Sequence, residues 1–148
     1  LSWITVLKKR DNYRKAFYNF NFKKVSLMSD DDIFALLLND GLIKNKLKLF
    51  SIRNNAISFQ NIQKNFGSFD NYIWSYTNNK IIHSKDKNAL DLSSKLLLSN
   101  SISKDLKKWG FKFIGPTICY AYLQAIGMIN DHENDCFRYN EIKKLYNN

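Results

Sequence analysis

Apolar residues recur three and four positions apart along most of the chain and seldom two apart, which is the period of helices and not of strands. Only 5 Gly and 1 Pro interrupt that pattern, so it predicts an all-α fold. Ser29-Asp30-Asp31-Asp32 reads as a helix start, with Ser29 accepting from first-turn amides and three carboxylates at the positive end of the dipole. Ile33, Phe34, Leu37 and Leu38 form its buried stripe, Asn39-Asp40-Gly41 closes it, and Leu49, Ile52, Ala56 and Phe59 mark the next helix. A turn at 67–70 leads to a short aromatic helix carrying Phe69, Tyr72, Ile73 and Trp74. Asn78 to Asn88 is the most loop-like stretch, and His83 within it reads as a solvated histidine. Leu92 to Leu98 and Ile102 to Trp109 are expected as two short helices, the second capped by Ser101 or Ser103. Residues 1–139 are read as one helical domain and 140–148 as a polar tail, in which Ile142 and Leu145 dock at most a last turn.

Composition narrows the class. With 45% hydrophobic and 24% charged residues in 148, the chain is globular and long enough to bury a core without staples. Two cysteines, Cys119 and Cys136, are too few for a secreted disulfide scaffold, and a reducing, cytoplasmic setting is expected. The longest apolar run, Ile33 to Leu38, falls far short of the ~18–20 residues of a spanning helix, and no secretory leader opens the chain, so no membrane role is expected. Lys and Arg number 23 against 13 Asp and Glu, a net charge of +10, which favours a polyanionic partner such as nucleic acid. An AT-rich coding bias toward Lys and Asn produces the same drift, so position has to decide. Leu1, not Met, opens the sequence, and residues upstream of it are expected.

The most informative stretch is 104–127, a basic helix, a Gly-bounded turn and a second helix. Pro116 suits the first helical position, where its missing N–H is an orphan anyway, and Gly127 suits the position past the end. Gly115 lets a phosphate approach the backbone amides at that helix start, with Lys112 and Thr117 adding contacts. The arrangement resembles the helix-hairpin-helix of DNA-repair proteins, which grips a strand by its phosphates and not its base edges. An ordinary helical hairpin is the alternative. Lys104, Lys107, Lys108 and Lys112 cluster here, and Lys44, Lys46, Lys48 and Arg53 cluster at another helix start, a pairing that suits one duplex. His132 and Cys136, four apart, can share one helical face or tight turn and would make half of a tetrahedral zinc site. Cys119 reads as a small buried hydrophobe.

Three blocks then carry a specific likeness: L-S-W-I-T-V-L-K-K-R at 1–10, G-F-K-F-I-G-P-T-I-C-Y at 110–120 and N-D-H-E-N-D-C-F-R at 130–138. Together with G-L-I-K-N-K at 41–46 and F-D-N-Y-I-W-S-Y at 69–76, they resemble the DNA-3-methyladenine glycosylase I, or Tag, family over nearly the whole chain. The resemblance implies a helix-hairpin-helix glycosylase fold and base-excision repair of alkylation damage, by hydrolysis of the N-glycosidic bond of 3-methyladenine. It implies action on double-stranded alkylated DNA; a monomer is expected, with the oligomeric state left open by the residues. Trp3 matches the tryptophan of the family's L-S-W motif, which lines the base pocket; the residues alone would make it a core anchor of the first helix. The DNA contacts expected from the hairpin are Lys112, Gly115, Pro116 and Thr117, and those expected from charge clustering are Lys44 and Lys46.

The resemblance also implies a structural zinc, held by a Cys and a His near the family's N-terminus together with His132 and Cys136. Asp131, beside His132, is expected to orient the imidazole. The family's segment ahead of L-S-W holds those other two ligands, the pocket glutamate and further aromatic residues, so no catalytic residue is assigned in 1–148. Asp11 and Asp30 to Asp32 sit at helix starts and do not replace that glutamate, and Trp109 stands where the family usually has a basic residue. The chain as it stands is therefore expected to excise weakly or not at all. The alternatives are an inactive remnant that still binds DNA, and a helix-hairpin-helix binding module without enzymatic function. No nucleotide cofactor, Walker-type loop or covalent nucleophile is indicated, and no lyase activity is expected.

Overall fold

The computed structural model describes residues 2–83, 92–133 and 135–145. The described elements, in order, are α1 (Trp3–Lys8), α2 (Arg10–Ala16), a 3-10 turn (Tyr18–Phe20), α3 (Phe22–Ser26), α4 (Asp30–Leu36), α5 (Lys46–Phe66), α6 (Phe69–Ser75), β1 (Ile82–His83), α7 (Leu92–Lys108), α8 (Pro116–Ala125), β2 (Ile129–Asn130) and α9 (Phe137–Leu145). The all-α expectation holds. The strands amount to one parallel pair, Ile82 against Ile129 and His83 against Asn130.

The chain divides into two compact units: one runs to Asn65 and takes in Trp109–Phe113, the other holds Phe66–Lys108 and the chain from Ile114 on. In the first, Phe17, Val25, Met28, Ile33, Leu42, Leu49 and Ala56 form a buried cluster, with Tyr13, Phe22, Phe50 and Ile52 against it. Its helix starts are chemically explicit. Ser29 accepts from the Asp32 amide while the Asp32 carboxylate accepts from the Ser29 amide at 2.7 Å, a reciprocal box that satisfies two orphan donors. α5 continues unbroken for 21 residues, its buried positions including Leu49, Ala56 and Ile62.

In the second unit α8 packs on α7, and Ile102, Leu106, Cys119 and Leu123 are buried there. Tyr72 and Tyr76 of α6 both donate to the Asp105 carboxylate, at 2.9 and 2.6 Å, and tie α6 to α7. Burial first, with the Asp105 carboxylate adding to it, raises both phenols, Tyr76 to about 12. Cys119 is a buried thiol, as expected, and burial pushes its pKa up, which keeps it protonated and inert.

Four local expectations need correction. Of the buried stripe expected after Ser29 only Ile33 is buried, with Leu37 half-buried and Phe34 and Leu38 exposed. The two short helices of 92–109 are one, α7 (Leu92–Lys108). Its serines stay inside the helix: Ser99 donates back to Leu96 O at 3.0 Å, and buried Ser103 caps nothing, donating instead to Ile114 O at 2.7 Å. The polar tail is mostly helix α9, with Ile142 buried and Leu145 exposed. The loop at 78–88 holds His83 in β1, its Nδ1 3.3 Å from the Asn130 amide; its residues 84–88 lie outside the described residues.

Candidate active site

The first unit encloses a cavity of about 490 Å3, within the roughly 300–1,000 Å3 usual for small-molecule sites. Its lining comes from four segments: Ser2, Trp3 and Val6 of the α1 region, Tyr13 and Ile43, then Lys48, Ser51 and Ile52 on one face of α5, and Phe113. Trp3 is not the core anchor that its residue type suggests. It is 78% exposed, α1 buries none of its residues, and the indole stands at the cavity with room beside it. Ser2 fixes this end of the chain by capping α1, its Oγ accepting from the Thr5 amide at 3.3 Å.

Polar groups in the lining are few and mostly engaged. Ser51 donates to Lys48 O at 2.7 Å. The Tyr13 hydroxyl accepts from the Ile43 amide at 3.3 Å, which leaves its own O–H available to an acceptor in the cavity. Among the described residues Lys48 contributes the only formal charge, with Nζ 5.8 Å from the Phe113 ring centroid, and no described carboxylate lines the cavity. Apart from Ser2, the rest of the lining is apolar or aromatic. A second cavity in this unit, about 330 Å3, is lined by Phe20, Phe22, Phe59 and Phe111 among other residues, with Asn55 its one polar side chain. That amide is engaged with Lys112, so this cavity has little left to orient a heterocycle.

The hairpin reads in two parts. In the first unit Gly110 has φ +97, and a Cβ there would lie 2.9 Å from Ser58 Oγ, so only glycine fits. The Lys112 backbone is held by Asn55 and its side chain is exposed. In the second unit Gly115 precedes α8 with φ −81, Pro116 occupies the first helical position, and no side chain caps the start. The amides of Thr117 and Ile118 are thus orphan donors. A Cβ on Gly115 would meet nothing within 4 Å, so glycine is not needed there for folding.

The other predicted residues are placed as follows. Lys44 pairs with Asp40 at 2.6 Å, and Lys46 lies 4.7 Å over the Phe34 ring. Arg53, read as part of the same basic cluster, binds Asp30 at 2.7 Å and Met28 O at 3.0 Å. His132 Nδ1 and Cys136 Sγ approach to 3.6 Å. Zn–S and Zn–N bonds of about 2.3 and 2.0–2.1 Å at a tetrahedral angle separate N from S by about 3.5 Å, so the pair fits two corners of such an ion. Among the described residues no cluster of three or more metal donors includes them. Asp131 does not orient His132 as expected: its carboxylate accepts from Lys95 at 2.7 Å, from Tyr120 and from Gln124. Burial and that carboxylate push Tyr120 up to about 12.

Sequence reasoning missed Tyr13, Phe113 and Asn55. A signal for part of the wall was present, since 48, 51, 52 and 55 form an i, i+3, i+4, i+7 stripe that mixes polar with apolar residues, unlike a core face. Among the described residues no helix is long and apolar enough to cross a membrane.

Over residues 1–139 the chain matches the family model described as methyladenine glycosylase. It is 45% identical over 136 residues to a DNA-3-methyladenine glycosylase of Haemophilus influenzae, covering 92% of this chain and 74% of that protein. It is 39% identical over 139 residues to DNA-3-methyladenine glycosylase 1 of Escherichia coli K12, covering 94% and 74%. A crystal structure of 3-methyladenine DNA glycosylase I is similar with a TM-score of 0.79 at 40% identity, over 93% of this chain and 75% of that one. A Staphylococcus aureus structure, described as the basis of 3-methyladenine recognition by the same enzyme type, gives 0.78 at 36% identity, over 93% and 73%.

Proposed function

The chain belongs to the methyladenine glycosylase family, its reaction is the hydrolytic release of 3-methyladenine from alkylated DNA, and we propose that the cavity beside Trp3 receives the base. Methylation at N3 leaves the purine cationic. The bond from the sugar C1′ to N9 then breaks with its electron pair moving onto the ring, so the base leaves neutral, and water adds to C1′ and loses a proton. Little acid catalysis is needed for such a leaving group. The protein's larger task is to take the nucleotide out of the stack and hold it.

The exposed indole of Trp3 beside an open cavity carries this reading. A π face against a cationic ring contributes about 0.5–2 kcal/mol. The Tyr13 O–H can donate to a ring nitrogen, which a purine presents and a bare abasic sugar does not. Strand contacts fall to Lys112 and to the start of α8, where Gly115 leaves room and the amides of Thr117 and Ile118 face no cap. Lys44 and Lys46 can join if they exchange Asp40 and the aromatic rings for phosphate. A structural zinc would take His132 and Cys136 as two ligands and brace the turn into α9.

The test is chromatographic detection of free 3-methyladenine from methylated duplex DNA, with the free base titrated in parallel against tryptophan fluorescence. Release of 3-methyladenine is expected from a chain that also carries the family's segment ahead of L-S-W and weakly or not at all from residues 1–148 alone, and Trp3→Ala should abolish most of the quenching by the free base. Binding of alkylated DNA with no base released by the chain that carries that segment would overturn the enzymatic reading. Quenching unchanged in Trp3→Ala would move the pocket elsewhere.

A further inference from the structure

Phe113 is a non-glycine residue in the left-handed region, at φ +56, where a side chain is disfavoured. It is half-exposed, and it lines the Trp3 cavity. One residue earlier the backbone is held by a side chain of α5. Asn55 Nδ2 donates to Lys112 O at 3.1 Å, and the Lys112 N–H donates to Asn55 Oδ1 at 2.8 Å. A side-chain amide carries one donor and one acceptor side by side, which matches the two backbone groups of a single residue in the manner of a strand partner. Locked this way, the neighbours of Lys112 serve different chambers: Phe111 lines the smaller cavity and Phe113 the one beside Trp3. The contact uses only the Lys112 backbone, and its exposed ammonium stays available for a strand.

We propose that Phe113 is a specificity-determining wall of the base pocket, offering an expelled cationic purine a second aromatic face besides Trp3, and that Asn55 is the residue that positions it. This rests on the reading of the Trp3 cavity as the base pocket. Lys48 Nζ lies 5.8 Å from the same ring centroid, and like-charge repulsion would turn it away from a cationic base there. Replacing the ring by an aliphatic side chain should cost discrimination more than affinity for DNA in general.

The experiment compares the full chain with Phe113→Leu, Phe113→Tyr, Asn55→Ala and the Phe113→Leu/Asn55→Ala double variant. It measures Kd for free 3-methyladenine by tryptophan quenching, kcat and KM for 3-methyladenine release from methylated duplex, and Kd for unmodified duplex. Phe113→Leu should lower kcat/KM about two- to thirty-fold, the range expected of a single cation–π interaction, with the unmodified-duplex Kd unchanged and activity rescued by Phe113→Tyr. Asn55→Ala should lower it similarly, and the double variant should be no worse than the more impaired single variant, since both act through one ring. Wild-type release with Phe113→Leu at full kcat/KM overturns the Phe113 assignment and leaves the pocket standing. Multiplicative losses in the double variant overturn the link to Asn55. Free 3-methyladenine that fails to quench the wild type's tryptophan fluorescence overturns the pocket reading and this proposal together. If Asn55→Ala loses its helical circular dichroism, Asn55→Gln, which keeps both hydrogen-bonding groups, takes its place and must retain part of the activity that a purely displaced Phe113 would lose.

Discussion

Two basic clusters that look alike along the chain differ in what their charges do. Around the start of α5, Lys44 is paired with Asp40, Lys46 lies against Phe34 and Phe50, and Arg53 is tied to Asp30 and Met28 O. On α7, Lys104, Lys107 and Lys108 stand at i, i+3 and i+4, exposed on one face, and form no ion pair among the described residues. The first cluster holds its own unit together; the second has its charge to spend on an outside partner. Net charge counts both alike, so the +10 of the sequence overstates the field offered to a polyanion near α5 and reports it fairly along α7.

The sharpest way to break this distinction is to remove each set. Changing Lys104, Lys107 and Lys108 together to Ala should reduce the slope of log K against log salt by about 0.9 for each phosphate no longer neutralised, and weaken duplex binding several hundred-fold at ~0.1 M salt if each lysine meets one phosphate. Changing Lys44, Lys46 and Arg53 should move the slope by less than half as much. Equal slopes in a fluorescence-anisotropy salt series would show that the pairs at α5 open freely for DNA. The reverse asymmetry is expected in stability. Arg53→Met removes two hydrogen bonds from a guanidinium whose side chain is only 16% exposed, and should cost about 1–3 kcal/mol in urea unfolding. Lys107→Met should cost almost nothing.

What is legible in the sequence follows from range. The Ser29 box, the long apolar stripe of α5 and the Pro116 start depend on residues within a few positions, and their patterns point to them directly. α7 looks like two helices in sequence because its serines and Asn100 resemble punctuation, whereas Ser103 finds its acceptor on Ile114, eleven residues on. α9 looks like a tail because its composition is polar and a single strong apolar residue, Ile142, is buried in it beside Tyr139. Trp3 is identified through the family's L-S-W block, since its residue type alone points to a core position. The Asn55–Lys112 pairing spans 57 residues and joins a side chain to a backbone, which leaves no periodic or compositional trace. The same holds for charge: that Arg53 meets Asp30 and Lys107 meets no described carboxylate is decided by packing, not by spacing.

The smallest expected effect tests the acidic side of the first cluster. Asp30 and Asp32 are near neighbours with different work, one pairing with Arg53 and the other closing the cap with Ser29. Hydrogen bonds from the Ser29 backbone and then its side chain hold the Asp32 carboxyl below the ordinary 3.8. A carboxylate whose folded pKa is depressed stabilises the fold above its unfolded pKa and loses that contribution as pH falls through the folded value. Thermal melts of the wild type and Asp32→Asn should therefore differ most from neutral pH down to about pH 4–5, with the gap closing at lower pH as the wild-type carboxyl takes up its proton. Ser29→Ala removes the same bonds from the other partner, so its gap should narrow over the same interval while retaining a pH-independent remainder of about 0.5–2 kcal/mol from the missing N-cap. A gap in Asp32→Asn that persists undiminished below about pH 3 would mean that the carboxylate charge plays no part, and that the acidic run at α4 matters only through Asp30 and its hold on Arg53.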